Sequence, residues 1–295
     1  MSRRVLITGA GSGLGLALAH RFAAAGDRVL LTDVDGDALV AAVAAVAGAE
    51  AAVGDGAPTA SAHGLTLDVR SDERWAAVRG WCEEHWGGLD VLVSNAGVAA
   101  GGRFSRQPIE DWDWVLEIDL MGVVRGCRTF VPLMEAQGSG QLVNVASLAG
   151  LINPPANAAY NVAKAGVVSL SETLRLELEP AGIGVTVVCP SFFRTGLTAT
   201  FRSPDAAVSG LMDKLVGQSS TPADAIAAQV VDAVAKRRFL LLTDRDGRSS
   251  YLVKRFLPPL FLSQARKRTR RLLERIAAAE ADGASAVAAS DRGEA

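Results

Sequence analysis

The chain is poor in residues that build covalent or metal-held folds. Its three cysteines, Cys82, Cys127 and Cys189, stand far apart in apolar surroundings. This excludes a disulfide framework and any paired-thiol metal spacing, and leaves reduced core thiols as the reading. The three histidines, His20, His63 and His85, are equally scattered, so no metal site is expected. No apolar run is long enough for a spanning helix, and Met1-Ser-Arg-Arg-Val enters a strand-like run at once, without the apolar core of a secretion signal. The expectation is a cytoplasmic protein, with membrane association open only through the C-terminal segment described below.

Tyrosine occurs twice and lysine five times, and Lys164 is the only lysine in the first 213 residues. It lies four residues after Tyr160, which lies thirteen after Ser147. Residues four apart on a helix share a face, so the Lys164 ammonium can sit beside the Tyr160 phenol, favour the phenolate and lower its pKa toward neutrality, as a general acid–base group requires. Ser147 ends the apolar run Gln141-Leu-Val-Asn-Val-Ala-Ser147, which reads as a buried strand delivering a hydroxyl to a substrate oxygen.

The N-terminus supplies a second signal. The strand Arg4-Val-Leu-Ile-Thr8 is followed by Gly9-Ala-Gly-Ser-Gly-Leu-Gly15 and a helical pattern from Leu16. In that order, Gly9 permits the tight turn, Gly13 lets the backbone approach a pyrophosphate and Gly15 allows close helix packing, with phosphates at the helix N-terminus. The next strand, Arg28-Val-Leu-Leu-Thr32, ends in Asp33, whose carboxylate can accept from a ribose diol and repel a 2′-phosphate. Val34 follows it, and Ser12 stands in the turn where a basic residue could meet that phosphate. These features predict NAD(H) in preference to NADP(H).

Together, Thr8-Gly-Ala-Gly-Ser-Gly-Leu-Gly15, Asn95-Ala-Gly97, Ser147 and Tyr160-Asn-Val-Ala-Lys164 resemble the short-chain dehydrogenase/reductase family over residues 3 to 242. The resemblance implies that Tyr160 is the general acid/base, that Lys164 binds the nicotinamide ribose and tunes Tyr160, and that Ser147 orients the carbonyl oxygen. It also implies cofactor contacts from Gly9, Ser12, Gly13, Leu14 and Gly15, from Asp68 and Val69 at the adenine, from Asn95, Ala96 and Gly97 along the cleft, and from Pro190, Phe193 and Thr195 at the nicotinamide end. One position departs from the pattern. The family usually carries asparagine where Asp119 stands, at a helical kink whose carbonyl holds a water leading to the lysine. Aspartate places a negative charge near Lys164, so either the tuning changes or Asp119 is protonated or water-screened, unless the near-isosteric replacement has little effect.

Strands are predicted near 4–8, 28–32, 64–67, 89–94, 141–146, 184–189 and 239–242, most of them continuous apolar runs of the kind buried on both faces. Helices alternate with them, which makes a single Rossmann-type, doubly wound parallel sheet with ligands at the strand C-termini. Ala47 to Ala62 is expected to be a helix end plus a flexible loop. The catalytic domain is assigned to residues 1–243, a basic, partly apolar helical extension to 244–277, and a disordered tail to 278–295. Residues 236 to 275 hold thirteen Lys or Arg against Asp244, Asp246 and Glu274, a net of +10, so the remainder carries −12 to give the whole chain's −2.

The pocket wall is expected from Leu148 to Pro155, with Ala149 and Asn153, from Phe192 and Phe193, and from a lid between Gly196 and Gly217; Arg103, Arg194 or Asn153 could add a polar anchor. An apolar wall predicts an NAD(H)-dependent oxidoreductase acting on a hydrophobic secondary alcohol or ketone, the alternative being a dinucleotide-binding scaffold or sensor with little turnover. A homo-oligomer, dimer or tetramer, is expected, and no nucleic acid. The basic extension is expected to dock on its own acidic body or across a subunit interface, with a peripheral membrane contact as the competing reading.

Overall fold

Alternation inside the apolar runs decides the architecture. A computed structural model describes residues 2–47, 52–53, 62–193, 200–219 and 221–290. Among these residues eight strands, β1 (Arg4–Thr8), β2 (Arg28–Asp33), β3 (Ala52–Val53), β4 (Ala62–Thr66), β5 (Val91–Ser94), β6 (Gly140–Val145), β7 (Ile183–Cys189) and β8 (Leu240–Leu242), form one sheet in the order β3-β4-β2-β1-β5-β6-β7-β8. Every pairing is parallel. Successive side chains on a strand point to opposite faces, so Leu6, Leu30, Leu92 and Leu142 enter one core layer while Val5, Ile7, Val29, Leu31, Val93 and Val143 enter the other. Each fully buried aliphatic side chain contributes about 1.5–3 kcal/mol, and only a strand apolar at every position can collect that on both faces. The two-residue β3 falls where only a loop was expected.

The helices divide between the faces. α3 (Asp72–Trp86), α5 (Gly122–Gln137) and α7 (Ala158–Leu178) cover the first layer with Trp75, Phe130 and Val167. α1 (Gly13–Ala24), α2 (Gly36–Ala47) and α9 (Ala223–Ala235) cover the second with Phe22, Leu39 and Val230. The sheet is therefore doubly wound, and the strand order reverses between β1 and β5, which opens a crevice at their C-terminal ends. The other α-helices among the described residues are α4 (Ile109–Leu116), α6 (Ala149–Ile152), α8 (Ala206–Gly217), α10 (Arg245–Phe256) and α11 (Pro258–Ser290).

Cys82, Cys127 and Cys189 are free and buried, and burial pushes each thiol up to about 12. Among the described residues there is no His/Cys/Asp/Glu group that could hold a metal ion, and no helix long and apolar enough to cross a membrane. Asp244 caps α10 by accepting from the Gly247 N–H (2.6 Å). Pro258 and Pro259 interrupt the helical run and open α11, where their missing N–H groups cost nothing. α11 continues to Ser290, so residues 278–290 are helical where disorder was expected; alanine, abundant there, has the highest helix propensity of any residue.

Candidate active site

The β1–α1 turn is shaped for close approach. Gly9 and Gly13 have φ of 64° and 56°, in the left-handed region that favours glycine. A Cβ on Gly15 would stand 2.1 Å from Gly9 O, and one on Gly11 would stand 2.9 Å from Asp33 Oδ2. Ser12, Gly13 and Leu14, at the N-terminus of α1, line a cavity of about 680 Å³ together with Gly9. The unpaired N–H groups and positive dipole end of a helix favour a phosphate at that place. Gly15 does not line the cavity; it lets α1 pack against the turn.

Around the turn the crevice walls are tied together. Asn95, just past β5, donates from Nδ2 to Thr8 O (2.9 Å) and Gly9 O (3.1 Å), while Thr8 Oγ1 accepts from the Asn95 and Ala96 N–H groups. Asp33, at the end of β2, accepts from the Gly11 N–H (2.9 Å) and the Asp35 N–H (3.0 Å) and lines the same cavity. Asp68, Val69, Ala96 and Gly97 line it as well. Arg70, which local sequence signals did not single out, also reaches the cavity. It is forked onto Asp68 (2.9 and 2.7 Å) and holds that carboxyl below the usual carboxylate range.

Ser147, Tyr160 and Lys164 converge at the other end of the cavity. Ser147 follows β6, accepts from the Ala149 N–H (3.1 Å) and interacts with the Tyr160 phenol. Tyr160 and Lys164 share a face of α7, with the ammonium 5.6 Å from the phenol ring centre. Lys164 donates to Val145 O (3.2 Å) and is only 4% exposed. Its second partner is Asp119 Oδ2, 3.1 Å away, on a carboxylate with no exposure at all. Asp119 sits on a π-helical turn, Glu117–Met121, between α4 and α5, and its Oδ1 accepts from the Val98 N–H (2.7 Å). The wider turn of a π-bulge, a feature frequent at functional sites, aims this side chain at the lysine. Asp119 thus meets Lys164 directly rather than across a screening water.

The electrostatics correct one expectation. Burial raises the Tyr160 phenol above its ordinary value; Lys164 pulls it down, Asp119 pushes it up and Ser147 pulls it down, with the net direction upward. Lys164 therefore does favour the phenolate, but desolvation outweighs it. Burial lowers Lys164 itself, yet Asp119 and then Tyr160 more than compensate, so the ammonium is held charged. Burial raises the Asp119 carboxyl against the opposing pull of Lys164 and the Val98 N–H.

Among the other predicted residues, Ala149, Pro190, Phe192 and Phe193 line the cavity. Asn153 does not. It ends α6 with φ of 51°, and its amide, oriented to donate to Ala149 O (3.1 Å), accepts from Lys254 Nζ (3.2 Å). The carboxamide is thus spent on holding α10 against α6. Arg103 is paired with Asp205 (2.8 Å) and does not line the cavity either. Thr195 and Arg194 lie outside the described residues. From the predicted lid segment, Thr200, Met212 and Val216 line the cavity, and the apolar wall gains Val98, Trp114 and Ile118. Trp114 and Ile118 are four apart on the helical stretch leading to Asp119, a spacing that could have marked them.

A family described as short chain dehydrogenase matches residues 3–206. The chain belongs to the short-chain dehydrogenase family. It is 34% identical over 273 residues to the "Probable oxidoreductase EphD" of Mycobacterium tuberculosis, covering 90% of this chain but 45% of that protein, so the chain spans about half the length of those curated relatives. The 2-(R)-hydroxypropyl-CoM dehydrogenase of Xanthobacter autotrophicus is 33% identical, covering 79% of this chain and 90% of the relative. A short-chain dehydrogenase/reductase from Burkholderia phymatum, solved in complex with NAD, superposes with a TM-score of 0.80 at 33% identity, over 88% of this chain and 95% of that one. The family binds NAD(P), and the residues here fit such a group: the glycine turn leaves no room for a Cβ at Gly15 or Gly9, α1 presents its N-terminus to the cavity, and Asp33 presents a carboxylate in the same cavity.

Proposed function

We propose that the protein is an NAD(H)-dependent oxidoreductase that interconverts a hydrophobic secondary alcohol and its ketone. The observation that carries this reading is the convergence of Ser147, Tyr160 and Lys164 on one cavity whose adjoining wall is made of Val98, Trp114, Ile118, Ile152, Phe192 and Met212. Among the described residues, this wall offers no counter-charge to an acid and few partners to a sugar.

The nicotinamide, when bound, accepts or supplies the hydride. In oxidation, Tyr160 as phenolate takes the hydroxyl proton of the alcohol, and in reduction it returns a proton to the carbonyl oxygen. Ser147 hydrogen-bonds that oxygen. Lys164 holds positive charge beside the phenolate and is available to the nicotinamide ribose. Asp119 touches no reacting atom; it is a positioning residue that keeps Lys164 charged and in place.

Preference for NAD(H) rests on Asp33 and on the neutralisation of Arg70 by Asp68, which leaves no unpaired cation among these residues for a 2′-phosphate. The competing reading, a dinucleotide-binding protein with little turnover, draws on the raised Tyr160 phenol and its Asp119 neighbour. One experiment separates the two: the purified protein is mixed with NAD and a panel of lipophilic secondary alcohols while NADH absorbance is followed. Turnover with any member supports the oxidoreductase. NADH binding without turnover across the panel and across the matching ketones supports the other reading.

A further inference from the structure

Where α10 meets α11, apolar side chains point outward. Phe256, Leu257, Leu260 and Leu262 are 68%, 53%, 48% and 51% exposed. A single exposed leucine is ordinary, but four large apolar residues within seven positions, bracketing Pro258 and Pro259, form a patch that requires a partner. Docking within the molecule does not supply one, because both helices are already docked by their other faces. Tyr251 of α10 packs against the core and Lys254 donates to Leu151 O (2.6 Å) of α6. On α11, Phe261, Ala265, Thr269, Leu272 and Ile276, at helical spacing, are turned inward, and the helix packs on α8.

Between residues 266 and 275 the exposed side of α11 is largely cationic. Arg266, Lys267, Arg268, Arg270, Arg271 and Arg275 are all exposed, with Glu274 the single acid among them, and none is ion-paired among the described residues. Residues 236–275 carry +10, and the rest of the chain, −2 minus +10, carries −12.

We propose that this corner docks the protein on an anionic lipid bilayer, with Phe256, Leu257, Leu260 and Leu262 entering the headgroup–acyl boundary and the α11 cations neutralising the headgroups. Charge decides between this occupant and a second copy of the chain. A two-fold contact brings the same patch of both subunits together, here two strongly basic surfaces, whereas an anionic bilayer attracts the corner and repels the acidic body, which fixes the orientation. The inference goes beyond the proposed oxidoreductase activity and has a consequence for it. α10 and α11 are braced on α6 and α8, whose Ala149, Ile152, Met212 and Val216 line the cavity, so docking sets the apolar wall of the site beside the membrane.

The test is flotation of the full-length protein with vesicles of phosphatidylcholine alone or of phosphatidylcholine and phosphatidylglycerol. Binding is expected to the anionic vesicles only and to weaken as salt is raised. The triple variant Phe256→Ser, Leu257→Ser, Leu260→Ser and, separately, Arg266→Glu with Arg270→Glu should each lower the bound fraction about tenfold or more, while NADH-induced thermal protection is retained. Absence of flotation with anionic vesicles overturns the proposal, as does equal flotation of the serine variant. A serine variant that loses mass by sedimentation, with vesicle binding unchanged, would instead make the corner a subunit interface and overturn it too.

Discussion

Replacing Asp119 by asparagine, the residue usual in the family, probes the least expected feature of the site. At 3.1 Å and an effective dielectric of about 20, two unit charges attract by about 5 kcal/mol. Desolvation of two buried ions takes back several kcal/mol, and removing one partner outright typically costs about 3–5 kcal/mol. Asparagine keeps the acceptor for the Val98 N–H, so Asp119→Asn should cost less, about 1–3 kcal/mol, seen as a drop of about 2–4 °C in Tm per kcal/mol. The effect on chemistry has the opposite sign. Asp119 pushes the Tyr160 phenol up, and alcohol oxidation needs the phenolate, so its rate rises with pH through the Tyr160 ionisation. Removing the negative charge should move that limb to lower pH and raise the relative activity near neutrality. Lys164 keeps Val145 O (3.2 Å) and gains the phenolate as counter-charge when Tyr160 ionises, so it stays protonated in the working form. The assay is kcat/KM against pH for NAD-linked oxidation of a confirmed substrate, with Tm and NADH affinity measured in parallel. A limb that moves upward, or stays in place while Tm falls, refutes the coupling and leaves Asp119 as a packing residue alone.

Tyr160→Phe removes the transferable proton and should lower turnover by about 10²-fold or more while NADH titration still shows binding; near-normal turnover would reassign the acid–base group. Asp33→Ala should narrow the discrimination between NAD(H) and NADP(H), read as the ratio of their kcat/KM values, and an unmodified protein that prefers NADP(H) would defeat the Asp33 argument. Gly15→Ala places a methyl where Gly9 O stands 2.1 Å away, an overpacking expected to cost about 1–3 kcal/mol and to weaken NADH binding together with stability; unchanged binding and Tm would show that the turn can shift to accept it.

Most of the scaffold was legible because it is written in local periodicity. The apolar runs of β1, β2, β5, β6 and β7 lie within a few residues of their predicted positions, since a strand buried on both faces must be apolar throughout. The glycine turn and the four-residue step from Tyr160 to Lys164 were readable for the same reason: each is a short-range pattern with one mechanical use. What only the tertiary structure decided depends on residues distant in the chain. Asp119 meets Lys164 from forty-five positions away, because a π-turn on one helix faces α7 across the end of the sheet. Arg70 is silenced by Asp68, Asn153 is committed to Lys254, and Val98 and Trp114 close the apolar wall from separate elements. The balance of desolvation against charge at Tyr160 belongs to the same class. Spacing shows which groups can be neighbours, but burial, which three-dimensional packing alone creates, decides which protonation state they favour.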